Sequence, residues 1–126
     1  MSDTETPIRI LLVEDSDVYR ESLTFLLDAR TDLEVAGAAA DGASAVRMAR
    51  ELKPDVVVLD YRLPDVDGAT VVAELDEGTD RPPVVFLSAS AGRDEYDAAS
   101  SAAAALVRKD EGIDALVRAI RAAAGR

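Results

Sequence analysis

The chain has 126 residues, with 14 basic and 25 acidic side chains, a net charge of −11, and neither Cys nor His. Its length is that of one ordinary domain, which can bury a core without disulfides or metal, and its composition excludes disulfide scaffolds, zinc ribbons, iron–sulfur clusters and catalysis by an imidazole of its own. The acidity disfavours unspecific nucleic-acid binding, because phosphate contacts need clustered Lys and Arg.

The first seven residues are predicted to form a flexible tail, and residues 8–124 a single domain. The opening MSDTETP is polar and lacks the basic-then-apolar layout of a signal peptide. No apolar run approaches the ~18 residues that a membrane helix needs. We therefore expect a cytoplasmic protein with no membrane partner.

Five apolar segments predict β-strands. Three of them are nearly continuous apolar runs, as expected for strands that are buried on both faces of a sheet. The other two are shorter or interrupted and predict edge strands. The continuous runs are 8–13, 56–59 and 84–87, and the weaker segments are 33–38 and 104–108.

Helical periodicity fills the intervals between these strands. Ser16 is the predicted N-cap of the first helix, and Pro54 ends the second. The last helix, with Ile113, Leu116 and Ile120 on one face, has the clearest pattern, whereas residues 92–101 have a poor apolar face. Strand–helix alternation repeated five times predicts an α/β fold with a doubly wound parallel sheet.

Four of the predicted strands end in charged or hydroxyl-bearing residues. Glu14 and Asp15 follow the first strand, Asp60 the third, Ser88 the fourth and Lys109 the fifth. All strands of a parallel sheet end along one edge, and open α/β sheets bind ligands in the crevice beyond that edge. We therefore expect three carboxylates, a hydroxyl and an ammonium group around one cleft.

Three carboxylates in one cleft repel one another unless a cation is present, and a single lysine offsets only one charge. Oxygen ligands suit Mg²⁺, Ca²⁺ or Mn²⁺, and Mg²⁺ is favoured because it keeps several waters and uses few carboxylates. A divalent cation, a lysine and a hydroxyl are also what phosphoryl transfer requires, and an Asp can be the nucleophile that forms an aspartyl phosphate.

The chain resembles the receiver domains of two-component response regulators over about residues 8–121. The resemblance implies a flavodoxin-like, five-stranded fold with strand order 2-1-3-4-5. It includes the loop DYRLPDVDG, in which Pro64 and Gly68 lie four and eight residues beyond Asp60. The other matching residues, in chain order, are Glu14, Asp15, Asp60, Ser88, Ala89 and Lys109.

The resemblance implies a role for each residue at the predicted cleft. Asp60 would accept a phosphoryl group from the phosphohistidine of a sensor histidine kinase. Lys109 would pair with that group, and Ser88 would be the switch hydroxyl that moves to hydrogen-bond one of its oxygens. The implied Mg²⁺ ligands are Glu14, Asp15, Asp60 and the backbone carbonyl of Arg62.

Within the receivers, two features resemble the NarL/FixJ (LuxR-type) branch, which is usually joined to a helix-turn-helix DNA-binding domain. Asp110 follows Lys109 where many receivers have Pro, and KDEGIDALVRAIRAAA resembles the last helix of that branch. The resemblance implies transcriptional control through an effector domain absent from this chain. We expect no direct nucleic-acid binding by this domain. A second copy of this chain, forming a homodimer, is a further partner that the resemblance allows.

Leu106 departs from the family pattern. It lies three residues before Lys109, where receivers usually have Tyr or Phe, an aromatic that swings inward as the switch hydroxyl moves. The coupling of the switch to the surface is therefore open. Gly68 is interpreted structurally, as a residue that permits a turn conformation other residues resist.

Three classes of function are compatible with these residues. The first is a phosphorylatable switch that assists its own phosphorylation and dephosphorylation without being a turnover enzyme. The second is a receiver-like interaction module that acts without phosphorylation, or a stand-alone single-domain regulator. The third is an aspartyl-phosphate phosphatase of the haloacid dehalogenase type, which usually has a second Asp two residues beyond the nucleophile, where this chain has Arg62.

Each candidate residue taken alone also has a simpler interpretation. Asp60 can form a turn, and Glu14 and Asp15 can favour the start of the first helix. Ser88 can be a loop serine and Lys109 a solvated charge. The coincidence of four strand ends that suit one reaction is what favours the functional interpretation.

Overall fold

The computed structural model describes residues 6–77, 81–89, 92–102 and 104–126, so the predicted tail lies outside the described residues except for Thr6 and Pro7. Within these residues, five strands and five α-helices alternate, and none of the helices is long and apolar enough to cross a lipid bilayer. The elements are β1 (Ile8–Val13), α1 (Asp17–Asp28), β2 (Leu33–Ala39), α2 (Gly42–Leu52), β3 (Val56–Asp60), α3 (Gly68–Asp76), β4 (Val84–Ser88), α4 (Arg93–Ser101), β5 (Ala105–Arg108), a 3₁₀ turn (Lys109–Glu111) and α5 (Ile113–Ala123).

The five strands form one parallel sheet in the order β2-β1-β3-β4-β5, which confirms the predicted flavodoxin-like topology. The chain leaves β1 toward β2 on one side and then crosses to β3 on the other. The strand order reverses at this point, between β1 and β3. A crevice therefore opens beyond the carboxyl ends of these two strands, where such sheets bind their ligands.

Alternate side chains of the central strands enter two separate cores. On one face Leu11, Val13 and Leu59 pack beneath α2, α3 and α4, whereas on the other face Ile10 and Leu12 pack beneath α1 and α5. All five side chains are fully buried. Burial on both faces explains why these strands are continuous apolar runs in the sequence rather than alternating ones.

Side-chain caps start three of the helices. Ser16 Oγ accepts a hydrogen bond from the backbone N–H of Tyr19, which confirms Ser16 as the N-cap of α1. Asp41 and Asp67 cap α2 and α3 in the same way. Helix α4 begins after Gly92, which offers no side-chain cap.

The reason predicted for Gly68 is wrong. Among the described residues the glycines with positive φ are Gly112 and Gly125, whereas Gly68 is the first residue of α3. A Cβ atom at Gly68 would lie 2.7 Å from the Phe86 ring and 3.1 Å from the Cα atom of Tyr61. Close packing of α3 on the sheet, rather than an unusual turn conformation, requires glycine here.

Candidate functional site

Three carboxylates meet at the crevice between β1 and β3. Asp60 is the last residue of β3, and Glu14 follows β1 directly. Because Val13 and Leu59 are partners in the sheet register, the next residues of both strands reach the same edge. Oxygens of Glu14, Asp15 and Asp60 lie within 4.8 Å of one another. Glu14 and Asp60 are 1% and 6% exposed, whereas Asp15 is open to solvent.

The ammonium group of Lys109 lies between the two buried carboxylates. Its Nζ donates to Glu14 Oε1 at 2.8 Å and to Asp60 Oδ2 at 3.2 Å, and it lies 4.6 Å from the centre of the Tyr19 ring. Burial by itself lowers the pKa of Lys109, but the hydrogen bond to Glu14 and the charge of Asp60 outweigh it and raise the pKa overall. Lys109 therefore supplies a permanent positive charge at this edge of the sheet near neutral pH.

Backbone donors complete the hydrogen bonding of the buried carboxylates. The N–H of Ser16 donates to Glu14 Oε2 at 2.9 Å, and the N–H of Arg62 donates to Asp60 Oδ1 at 3.2 Å. Each carboxylate thus has one oxygen bonded to Lys109 and the other to the main chain. This arrangement fixes the orientation of both groups through the loops that follow β1 and β3.

Ser88, the last residue of β4, is buried on the other side of Asp60. Its hydroxyl donates to Glu95 Oε2 on α4 at 3.2 Å. Ser88 and Glu95 line, together with Asp60, Arg62 and Lys109, a cavity of about 190 Å³. A water occupies about 30 Å³ in the liquid, so this space has the scale of a group of several heavy atoms.

The donor set fits a hard divalent cation. The cluster offers carboxylate oxygens only, which Mg²⁺ and Ca²⁺ prefer, and exposed Asp15 leaves room for the waters that Mg²⁺ retains. Glu14, Asp15 and Asp60 would hold the ion. The backbone N–H of Arg62 places its main chain beside Asp60, while the predicted role of its carbonyl as a ligand stays a prediction.

The structure therefore brings together the residues that the sequence predicted for the cleft, and adds two that it did not. The first is Tyr19 of α1, whose ring lies against Lys109. Glu95 was not singled out, although its spacing of three and four from Ala98 and Ala99 places it on the inner face of α4. Leu106 is partly buried against the core beneath α2, α3 and α4.

Fold and site together define an α/β protein with an acidic, lysine-paired cluster at the carboxyl edge of its sheet. The family model described as "Response regulator receiver domain" matches residues 10–121. The chain therefore belongs to the response regulator receiver domain family, and this confirms the family predicted from the sequence.

Relatives of more than one kind share this domain. The transcriptional regulatory protein LiaR of Bacillus subtilis is 32% identical over 92% of this chain and 56% of its own length. A protein-glutamate methylesterase/protein-glutamine glutaminase of Anaeromyxobacter dehalogenans is 42% identical over 67% of this chain and 25% of its own length. A LuxR-family response regulator from Aurantimonas sp. SI85-9A1 has a solved structure that is 32% identical, with a TM-score of 0.88 over 96% of this chain and 88% of that one.

The chain spans only about a quarter of the methylesterase relatives and about half of LiaR. What the remaining parts of those proteins do is a property of those proteins, and the matches include both a transcriptional regulatory protein and methylesterases.

Proposed function

We propose that this chain is a phosphoacceptor switch in two-component signalling, with Asp60 as the residue that a sensor histidine kinase phosphorylates. The observation that carries the proposal is the position of Asp60, whose Oδ2 atom lies 3.2 Å from Lys109 Nζ within the cluster of three carboxylates. A carboxylate with a fixed ammonium beside it and a cation site around it meets the requirements of phosphoryl transfer, which are positioning and charge neutralisation.

The transfer exchanges a P–N bond for a P–O bond. A carboxylate oxygen of Asp60 attacks the phosphorus of the kinase's phosphohistidine, and the imidazole leaves with the electron pair of the broken bond. Lys109 pairs with the arriving phosphoryl oxygens, and a Mg²⁺ ion held by Glu14, Asp15 and Asp60 would neutralise further negative charge there. Water later hydrolyses the acyl phosphate, which regenerates the Asp60 carboxylate and releases inorganic phosphate. The same residues would assist both steps without making the domain a turnover enzyme.

The output is proposed to be control of transcription through an effector domain outside this chain. In support, the transcriptional regulatory protein LiaR is 32% identical over 92% of the chain, and the LuxR-family structure covers 96% of it. The sequence KDEGIDALVRAIRAAA, which forms the end of the domain, supports the same branch. Direct contact with nucleic acid is not part of the proposal, because the net charge of the chain is −11.

The test is phosphorylation by acetyl phosphate with and without Mg²⁺, followed by intact-mass measurement and mapping of the modified residue. We expect a gain of one phosphoryl group that needs Mg²⁺, maps to Asp60 and disappears in Asp60→Asn. Asp97→Asn is the matched control, since Asp97 is an exposed aspartate of α4. Modification elsewhere, or none in a folded protein, would contradict the proposal.

A module that signals without phosphorylation is the second candidate. Leu106 in place of the usual aromatic residue and the hydrogen bond between Ser88 and Glu95 are the observations that favour it. It predicts no mass change with acetyl phosphate and no effect of Asp60→Asn on partner binding. Turnover of a small phosphate ester would instead favour the phosphatase class.

A further inference from the structure

Glu95 is a buried acidic residue in the cavity beside the proposed phosphoacceptor. It is 3% exposed although it lies in the first turn of α4, where both neighbours Asp94 and Tyr96 are exposed. Charged side chains are rarely buried to this extent unless they are paired. Ser88 and Arg62, which the Glu95 carboxylate contacts, line the same cavity as Asp60.

Among the residues that the structure describes, two side chains contact the Glu95 carboxylate. Its Oε2 accepts from the hydroxyl of Ser88 at 3.2 Å, and its Oε1 lies 3.9 Å from Arg62 Nη2. The Arg62 guanidinium is largely exposed, so this second contact is a weak ion pair. The bond from Ser88 is the buried one, and it connects α4 directly to the end of β4.

A serine hydroxyl has one proton to donate. While that proton is bonded to Glu95, it cannot also bond to a phosphoryl oxygen on Asp60. A carboxylate is a strong acceptor, and it adds negative charge to a cavity that would receive an anionic group. Glu95 therefore competes with the phosphoryl group for the same donor and opposes its charge.

We propose that Glu95 is a positioning residue that holds the Ser88 hydroxyl in the unphosphorylated state and must release it when Asp60 is modified. This inference rests on the proposed function and names the regulation of that site. Release of Glu95 transmits the event at Asp60 to the first turn of α4, without the aromatic residue that Leu106 replaces.

The simpler role for Glu95 is to stabilise the start of α4. It is the third residue of the helix, the position from which Glu or Gln reaches back to the helix start, and its Oε1 would lie 3.3 Å from a Cβ atom placed on Gly92. Glu95→Gln separates the two roles. It keeps a side chain that can serve at this position but removes the charge that competes with the phosphoryl group.

The experiment measures the apparent affinity for beryllofluoride, a phosphoryl analogue, by NMR titration at fixed Mg²⁺ in the wild type, Glu95→Gln, Glu95→Ala and Asp94→Asn. Asp94→Asn is the matched control, because it removes one charge from the same helical turn at an exposed position. We expect about tenfold tighter binding for both Glu95 variants, because a hydrogen bond to a charged acceptor exceeds a neutral one by roughly the free energy of a factor of ten. Asp94→Asn should stay within about twofold of the wild type, because an exposed charge is screened.

A second measurement on the free protein makes the outcome independent of the analogue. Without beryllofluoride, Glu95→Ala should shift the NMR resonances of Ser88, while thermal unfolding should show that Glu95→Gln remains as stable as the wild type. Unchanged or weaker beryllofluoride binding by folded Glu95→Gln overturns the inference. Absence of binding by the wild type and by Asp94→Asn would instead count against the proposed function itself.

Discussion

At the level of single residues, the site depends on one lysine, Lys109, which pairs with the two buried carboxylates Glu14 and Asp60. Glu14 is 1% exposed and ion-paired to Lys109, whose side chain is 24% exposed. A carboxylate buried to this degree needs a partner, because an uncompensated charge in the interior costs several kcal/mol. Lys109 thus stabilises the fold through Glu14 in addition to its proposed pairing with a phosphoryl group at Asp60.

We expect Lys109→Ala to lower the free energy of unfolding by about 2 kcal/mol in the absence of divalent cations, less than for a fully buried pair because Lys109 is partly exposed. Glu14→Gln in the same background should restore a large part of the loss. Urea unfolding in the presence of EDTA measures both. Arg118→Ala, at an exposed position of α5, should have little effect. Equal losses for the single and the double variant would show that Glu14 does not depend on Lys109.

At the scale of elements, ion pairs join α5 to the connection between α1 and β2. Arg121 on α5 donates to both carboxylate oxygens of Asp32, at 2.7 and 3.1 Å, and Arg30 donates to Asp114 at 2.9 Å. The hydrogen bond from Arg121 lowers the pKa of Asp32 below its usual range. The fork geometry of the Arg121 pair favours one orientation of α5 on the sheet.

This pair predicts a pH-dependent contribution to stability. Since the pKa of Asp32 is lower in the folded than in the unfolded chain, the pair stabilises the fold above the ordinary Asp value of about 4 and loses this effect as pH falls through the folded value. Asp32→Asn should therefore be modestly less stable than the wild type from pH 5 to 7, with a difference that shrinks below about pH 4.

Urea unfolding of the wild type and Asp32→Asn across pH 3 to 7 measures this difference. Asp97→Asn, at an exposed position of α4, serves as the control for general acid effects. The interpretation of Asp32 is wrong if its variant keeps the same difference from the wild type at every pH.

At the level of the whole molecule, the net charge of −11 and the carboxylate cluster both predict that cations stabilise the folded chain. The two effects differ in specificity. Any salt screens the repulsion among 25 acidic side chains, whereas the cluster at the carboxyl edge of β1 and β3 is suited to a divalent ion. A ligand that binds only the folded state raises the free energy of unfolding. The increase grows with the logarithm of the ratio between the ligand concentration and the dissociation constant.

Mg²⁺ at ten times its dissociation constant should raise the free energy of unfolding by about 1.4 kcal/mol, and the melting temperature by a few degrees. Thermal unfolding against NaCl of matched ionic strength separates this effect from screening. Asp15→Asn should weaken the specific part, whereas Glu77→Gln, at an exposed position after α3, should leave it unchanged. Identical melting curves in Mg²⁺ and in matched NaCl would argue against a magnesium site.

The fold class and most residues of the site could be predicted from the amino-acid sequence. Nearly continuous apolar runs such as 8–13 are typical of strands in the interior of a parallel sheet. Parallel strands all end at one edge of the sheet. Asp60 and Lys109 were therefore predictable neighbours although 49 positions separate them. The order of the strands came from the family resemblance, because strand and helix patterns alone do not state which strands are adjacent.

Features that depend on packing between elements could not be predicted from local sequence. Gly68 is required by the approach of α3 to Phe86, a contact that local conformational preference does not show. Glu95 is buried because β4 and α4 enclose it against Ser88, although an acidic residue in a first helical turn is ordinarily exposed. Local sequence specifies periodicity and strand ends, whereas the burial of one particular side chain depends on distant residues that meet only after folding.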